Sequence, residues 1–337
     1  MKILFITDGG LKDGMGHIYE TIALAKELYD KADIYFLTRS EKTVIEKIKN
    51  NGFRVIKINN IKELINQLRI MNPNVVIIDL PLLDENLIRD IRQNLNTKTK
   101  LVVFGNVLAN LPRNIGEYCD VVVNFNLGSG SFESKSFIDK DKATLYLQGP
   151  RYFVLRDEFY RYKKIYNTSG KPKRILLMFG GSDPSNLTLK VLDKLLSLDY
   201  NFDIDVVLGP CFRYYHKLNR VLERHQEKKR NVKIYFDVNN IAELMYNADL
   251  VITSPGLSMF EALCIGVPTI AICQNDLQRN AYRDFEFVYN IDCIDNIEKI
   301  IFKIYNSLPN IMKNIEKLEI GKGKKEIIDT ILSLGGV

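Results

Sequence analysis

Short runs rich in Val, Ile, Phe and Tyr alternate with helically spaced stretches along all 337 residues, and the series occurs twice. In the first half the runs are "KILFIT", "ADIYFLT", "FRVIKI", "NVVIIDL", "KLVVFG" and "DVVVNF". In the second they are "RILLMF", "FDIDVVL", "VKIYFD", "DLVITS" and "PTIAIC". Between them lie stretches such as "HIYETIALAKELYDK" and "NLTLKVLDKLLSL", with apolar residues three and four apart. Strands that are apolar on both faces must be covered on both faces, so the pattern predicts an α/β architecture with parallel, doubly wound sheets. Each half opens with a strand, a glycine-rich loop and a helix, "ILFITDGGLKDGMGH" and "ILLMFGGSDPSNLT". Each later presents an apolar strand ending in a proline-containing turn, "VVIIDLPLLDENL" and "LVITSPGLSMFEAL". The proline-, aromatic- and base-rich stretch "LQGPRYFVLRDEFYRYKKIYNTSGKPKR" breaks the pattern and reads as a linker. The prediction is two doubly wound domains, 1–150 and 151–337, divided near Gly149 and Pro150 and facing a ligand cleft.

Hydrophobic residues make up 46% of the chain and charged residues 26%, which is enough apolar material for sizeable cores. The net charge of +6 suits an anionic small molecule, and no basic tract marks a nucleic-acid footprint. The lysine-rich "KNIEKLEIGKGKKEII" is interleaved with glutamate and reads as a solvated helix and turn. Five cysteines without CxxC spacing argue against a zinc site and against a disulfide framework, and Cys264 and Cys273 read as small buried hydrophobes. "MKILFITDGG" is too short for a signal peptide, and no run approaches the ~20 apolar residues of a membrane span. The expectation is a reduced, cytoplasmic protein without a membrane span; peripheral membrane contact and oligomeric state stay open.

The glycine loops exclude more than they assign. After "GMG" the third position of a dinucleotide fingerprint is Tyr19, and the second strand ends in "LTRS" with no acid for a ribose. "FGGSDPSN" lacks the GK[ST] of a Walker loop. No nicotinamide, flavin or other cofactor is expected. Gly180 and Gly181 let a ligand approach the backbone, Ser182 adds a hydroxyl, and the next helix would point its N-terminal donors the same way. The competing reading is a turn capped by Asp183 or Ser185. "TSPGLSMFEA" again sets Gly256 and Ser258 at a helix start, with Glu261 one turn in, and two such loops favour a nucleotide diphosphate site. Of three histidines, His216 and His225 lie in a charged helical stretch that reads as surface. His17 opens a helix, whose N-terminus disfavours imidazolium, so it reads either as a proton acceptor or as a residue that caps the loop.

"GMGHIYETIALAKEL", "FGGSDPSNLT", "GPRYFVLRDEF" and "DLVITSPGLSMFEALCIGVPTIAICQNDLQRNA" together resemble the UDP-sugar hydrolases of pseudaminic acid biosynthesis (PseG). More distantly they resemble MurG and the two-Rossmann GT-B glycosyltransferases, over nearly the whole chain. The resemblance implies that His17 activates water against the anomeric carbon of a UDP-activated diacetamido sugar, with Gly14 and Gly16 keeping that loop clear. It implies that Gly180, Gly181, Ser182 and Ser258 hold the diphosphate and that Glu261 accepts the ribose hydroxyls. Val238 would read the uracil through its backbone, Gln278 would face the sugar, and no metal would be needed.

The first half departs from that pattern. The hydrolases continue GxGHxxR, but Glu20 stands at the last position. Asp79 is followed by Leu80 and Pro81 in place of a small residue and a tyrosine, and paired aspartates give way to Gly105 and Asn106. Hydrolysis of a UDP-sugar is the leading expectation. A GT-B glycosyltransferase with a UDP-sugar donor and a nucleotide-sugar-binding protein without catalysis are the alternatives.

Overall fold

A computed structural model describes every residue except 11–13, 106–110, 113, 126–132, 166–171, 229–230, 284, 290 and 337. The chain divides into two units: residues 1–156 together with 320–337, and residues 157–319.

Among the described residues, the first unit carries β1 (Lys2–Thr7), β2 (Asp33–Thr38), β3 (Arg54–Lys57), β4 (Val75–Asp79), β5 (Lys100–Gly105), β6 (Val121–Asn124), β7 (Lys135–Asp139) and β8 (Thr144–Gln148). They form one sheet in the order β3-β2-β1-β4-β5-β6-β8-β7, parallel except for β7. The crossovers supply α1 (Gly16–Leu28), α2 (Lys42–Asn50), α3 (Ile61–Met71) and α4 (Glu85–Asn94). The central strands are buried on both faces, as their unbroken apolar runs require: Leu4, Val76 and Val103 join one core while Phe5 stacks on Phe36 on the other side. The β7–β8 hairpin was not anticipated. Its outer strand is almost wholly exposed, so it lacks the double-sided apolar signature by which the other strands were read.

The second unit repeats the plan with β9 (Arg174–Met178), β10 (Asp203–Leu208), β11 (Val232–Phe236), β12 (Leu250–Thr253), β13 (Thr269–Ile272) and β14 (Val288–Tyr289), in the order β11-β10-β9-β12-β13-β14. Its helices are α5 (Asp157–Arg161), α6 (Leu187–Ser197), α7 (Tyr215–Arg224), α8 (Ile241–Asn247), α9 (Leu257–Ile265), α10 (Asp276–Ala281), α11 (Ile297–Asn306) and α12 (Leu308–Lys317). His225, expected at the surface, is instead half-buried and bonds Asp193 through Nε2 at 2.8 Å.

The division differs from the expected one at 149/150 in two respects. The supposed linker is core: Tyr152, Phe153, Val154 and Leu155 are buried in the first unit, and Phe153 stacks on Phe125 at 4.4 Å. The last helix, α13 (Lys324–Leu334), also belongs to the first unit, where it packs on α1. Ile327, Ile328 and Ile331 bury its apolar stripe, and Lys324 of the supposedly solvated lysine stretch is buried in an ion pair with Glu27 at 2.7 Å. Gly323 N–H donates to Arg151 C=O at 2.7 Å, and a Cβ there would lie 2.6 Å from the Tyr152 ring, so only glycine lets the chain return this closely. Ile331→Ala should therefore cost about 2–5 kcal/mol, the range for truncating a buried isoleucine. Hydrogen exchange should register the loss in β1, β2 and β4, and leave β9 and β12 protected.

Candidate functional site

In an open α/β sheet the loops leave in opposite directions where the strand order reverses, and the carboxyl ends there open a crevice. In the first unit that point lies between β1 and β4, with Thr7 opposite Asp79 in register. Asp79 ends β4 after four fully buried apolar residues. The loop after β1 leads to α1, whose second residue is His17. His17 Nδ1 lies 2.6 Å from Asp79 Oδ1, with side-chain exposures of 15% and 2%. A carboxylate acceptor places the imidazole proton on Nδ1, so the neutral ring carries its lone pair on Nε2. Glu20, one turn along α1, completes a group whose ligand-type atoms lie within 4.8 Å of one another. Burial first and the charge of Asp79 second push the Glu20 carboxyl well above the usual range, and a hydrogen bond from the Val154 N–H opposes them.

The loop leading to His17 is anchored at its base. Asp8 accepts from the Arg39 N–H at 2.6 Å and from Arg39 Nε at 2.8 Å, while Gly9 N–H donates to Ser40 Oγ. Gly10 and Gly14 pair through two 2.8 Å backbone bonds, and a Cβ on Gly9 would strike Ile18 at 2.6 Å. Gly14 and Gly16 instead face open space. Gly105 is buried at the end of β5, and Asn106 lies outside the described residues.

The second unit reverses order between β9 and β12, and both of its glycine loops leave from those strands. Gly180, Gly181 and Gly256 have nothing within 4 Å of a would-be Cβ, and Gly180 and Gly256 sit at φ +73° and +148°. The two loops differ in what their helices offer. Buried Asp183 accepts from Leu187 N–H at 2.8 Å and Thr188 N–H at 2.9 Å, closing the N-terminus of α6 with the chain's own carboxylate. The expectation that α6 lends its donors to a ligand is therefore corrected: the capped-turn reading holds there. The N-terminus of α9 has no side-chain cap; Gly256 precedes it and Ser258 is half-buried in its first turn.

Sequence reasoning missed Gly209 and the contacts by which Ser185 and Gln278 tie these loops together. A Cβ on Gly209, just past β10, would lie 2.5 Å from the Gly180 and Gly181 backbone, so glycine lets the loop rest on the sheet. Ser185, considered as a cap, instead donates to the Gln274 C=O at 2.9 Å. Gln278 is buried; its Oε1 accepts from Gln274 N–H at 2.7 Å and its Nε2 donates to Pro255 C=O at 2.9 Å. Its amide thus joins the loops after β12 and β13, where the resemblance implied a sugar contact. Glu261 is buried in the second turn of α9, beside Cys264, whose thiol is pushed up to about 12 by burial first and by Glu261 second. Cys273 is likewise raised, to about 11, so both thiols are unreactive at neutral pH. Val238 follows β11, after Asp237 at φ +43°. Asp183→Ala would leave two helix N–H groups unpaired and should cost about 1–3 kcal/mol in urea unfolding of the second unit.

With this geometry in hand, likeness to known proteins can be placed on it. Residues 175–331 match the glycosyltransferase family 28 C-terminal domain. A Methanocaldococcus jannaschii protein known as MJ1062 is 43% identical over 342 residues, covering 99% of this chain; the chain spans 66% of that relative's length. The spore coat polysaccharide biosynthesis protein SpsG of Bacillus subtilis is 26% identical, over 85% of this chain and 81% of its own. The UDP-2,4-diacetamido-2,4,6-trideoxy-beta-L-altropyranose hydrolase of Campylobacter jejuni is 26% identical, over 81% of this chain and 92% of its own. Among solved structures, Acinetobacter baumannii MurG aligns with a TM-score of 0.63 at 13% identity, over 99% of this chain and 100% of that one. Anabaena HepE in complex with UDP aligns with a TM-score of 0.62 at 14% identity, over 99% and 98%. The fold is accordingly GT-B, with two Rossmann-like domains, and the chain is a distant homologue of SpsG and of the Campylobacter hydrolase. Among the described residues, no helix is long and apolar enough to cross a membrane.

Proposed function

We propose that the protein is a nucleotide-sugar hydrolase that releases a free sugar and UDP from a UDP-activated diacetamido-trideoxy sugar in nonulosonic acid biosynthesis. The observation that carries the reading is the His17–Asp79 pair. A ring locked with its proton on Nδ1 presents Nε2 as a base, and a base that removes a water proton contributes about 100- to 10,000-fold. Asp79 then stabilises the imidazolium that forms. The leaving group needs no acid if its charge is met by fixed donors. The uncapped start of α9, with Gly256 open and Ser258 in the first turn, supports a diphosphate there, and the open Gly180–Ser182 loop supports its approach. Glu261 for the ribose, Val238 for the uracil and Gln278 near the sugar complete the proposal, with Gln278 limited to the amide hydrogen that Pro255 does not use. The homologous Campylobacter enzyme supports the substrate class.

The second reading is transfer to a sugar hydroxyl instead of water. It is favoured by the match of residues 175–331 to a glycosyltransferase domain and by the likeness to MurG. Incubation with a panel of UDP-sugars, with and without acceptors, separates the two by NMR of the products. UDP and free sugar released at full rate without acceptor mark hydrolysis, and acceptor-dependent release marks transfer.

Two variants test the residues. His17→Asn keeps a helix-compatible, polar side chain but no base, so UDP binding and fold should survive while turnover falls at least ~100-fold. Near wild-type turnover would end the catalytic reading of His17. Glu261→Ala should weaken UDP binding by about 1–3 kcal/mol in calorimetry, the range for losing a charged hydrogen-bond partner.

A further inference from the structure

Two buried carboxyl oxygens in the first unit have no hydrogen-bond partner: Glu20 Oε1 and Asp79 Oδ2. Their residues are 6% and 1% exposed and belong, with His17, to one cluster within 4.8 Å. An unpaired carboxylate oxygen in an apolar interior is costly, and a neighbouring one adds like-charge repulsion to the desolvation. The remaining oxygens already have partners. Asp79 Oδ1 bonds His17 Nδ1, and the other Glu20 oxygen takes the Val154 N–H.

We propose that Glu20 is held as the neutral acid and donates its proton to Asp79 Oδ2, completing a relay from Val154 N–H through Glu20 and Asp79 to His17. One proton satisfies both orphaned oxygens at once. It also removes one of two negative charges from a site where both cannot be solvated. Burial and the Asp79 charge act in the same direction on Glu20. Neighbouring elements carry cations, the buried Arg156 Nε among them. Arg156 and Lys47 lie over the Tyr19 ring at 5.2 and 5.4 Å, and Lys324 of α13 pairs with Glu27. His17 on the same helix and Asp79 on β4 are the titratable members of the cluster itself.

This makes Glu20 a positioning residue. An arginine at this place would give Asp79 a second cation and divide its charge. A neutral acid fixes the Asp79 rotamer and leaves the charge to His17. The catalytic consequence rests on the reading of His17 as base, but the proton does not.

The test therefore begins without substrate. The infrared spectrum at neutral pH should show a carboxylic-acid C=O band that Glu20→Gln removes; its absence from the wild type would overturn the proposal. A carboxyl raised in the folded state loses stability as pH climbs from its ordinary 4.5 towards the raised value. Glu20→Gln can still donate to Asp79 and accept from Val154, so its melting temperature should gain on the wild type with rising pH. The gain should be about 3–5 °C per unit by which the acid is raised. A difference that is flat from pH 5 to 9 would sink the idea. So would a stabilisation by Mn²⁺ or Zn²⁺ that Glu20→Gln abolishes, because a metal would then balance the carboxylates. With a turned-over UDP-sugar, Glu20→Ala should lower kcat about tenfold at unchanged KM, and Gln should restore most of it and extend the alkaline limb. If no sugar is turned over, the hydrolase reading fails while the infrared and melting results still decide the proton.

Discussion

Everything chemical in this protein is constrained by burying parallel strands on both faces. Ile3 to Phe5, Val75 to Ile78 and Ile175 to Leu177 have no exposure, so polar groups are excluded along the length of these strands. Polar chemistry can begin only where a strand ends. Asp79 is the first polar residue after four buried apolar ones, and the Gly180 and Gly256 loops start one to three residues past β9 and β12. The sheet orders then select which ends matter, because β1 and β4 in one unit, and β9 and β12 in the other, flank the reversals.

The two reversals are furnished differently. In the first unit the groups are an imidazole and two carboxyls gathered in a largely buried corner. In the second, the offering is backbone, an uncapped helix start and glycines open to their surroundings, tied down by Gln278, Ser185 and Gly209. Proton transfer and anion stabilisation call for opposite materials, one adjustable and one fixed. On the proposed function, a chain that keeps them on separate sheets can refine either without retuning the other.

Much of this was legible in the sequence because it depends on period and punctuation. Eleven apolar runs fell on strands, and the glycine loops fell at the reversals. What was not legible depended on contacts between distant segments. Nothing near "GPRYFVLRDEF" says that Tyr152 to Leu155 are core, since their partners include Phe125 and the return at Gly323. Asp183 and Ser185 were equal candidates for a cap, and only the fold shows that Asp183 takes the helix while Ser185 reaches Gln274. Glu20 looked like a loss because a single position shows charge type but not environment. An acidic residue closing the strand beside the histidine loop was the signal that could have paired Asp79 with His17.

The return of α13 to the first unit makes the second unit an insertion between residues 156 and 320. The segment 157–319 is continuous and can close its sheet as soon as it has left the ribosome. The segment before it holds all eight strands of its sheet, but the helix that packs on α1 and holds Lys324 against Glu27 is made only after the second unit. During synthesis the earlier-made half therefore waits for the later one, with the apolar side of α1 uncovered for the time taken to translate more than half the chain. The unit begun first is thus the second to be completed, and chaperone demand should fall on the face of α1 that α13 covers.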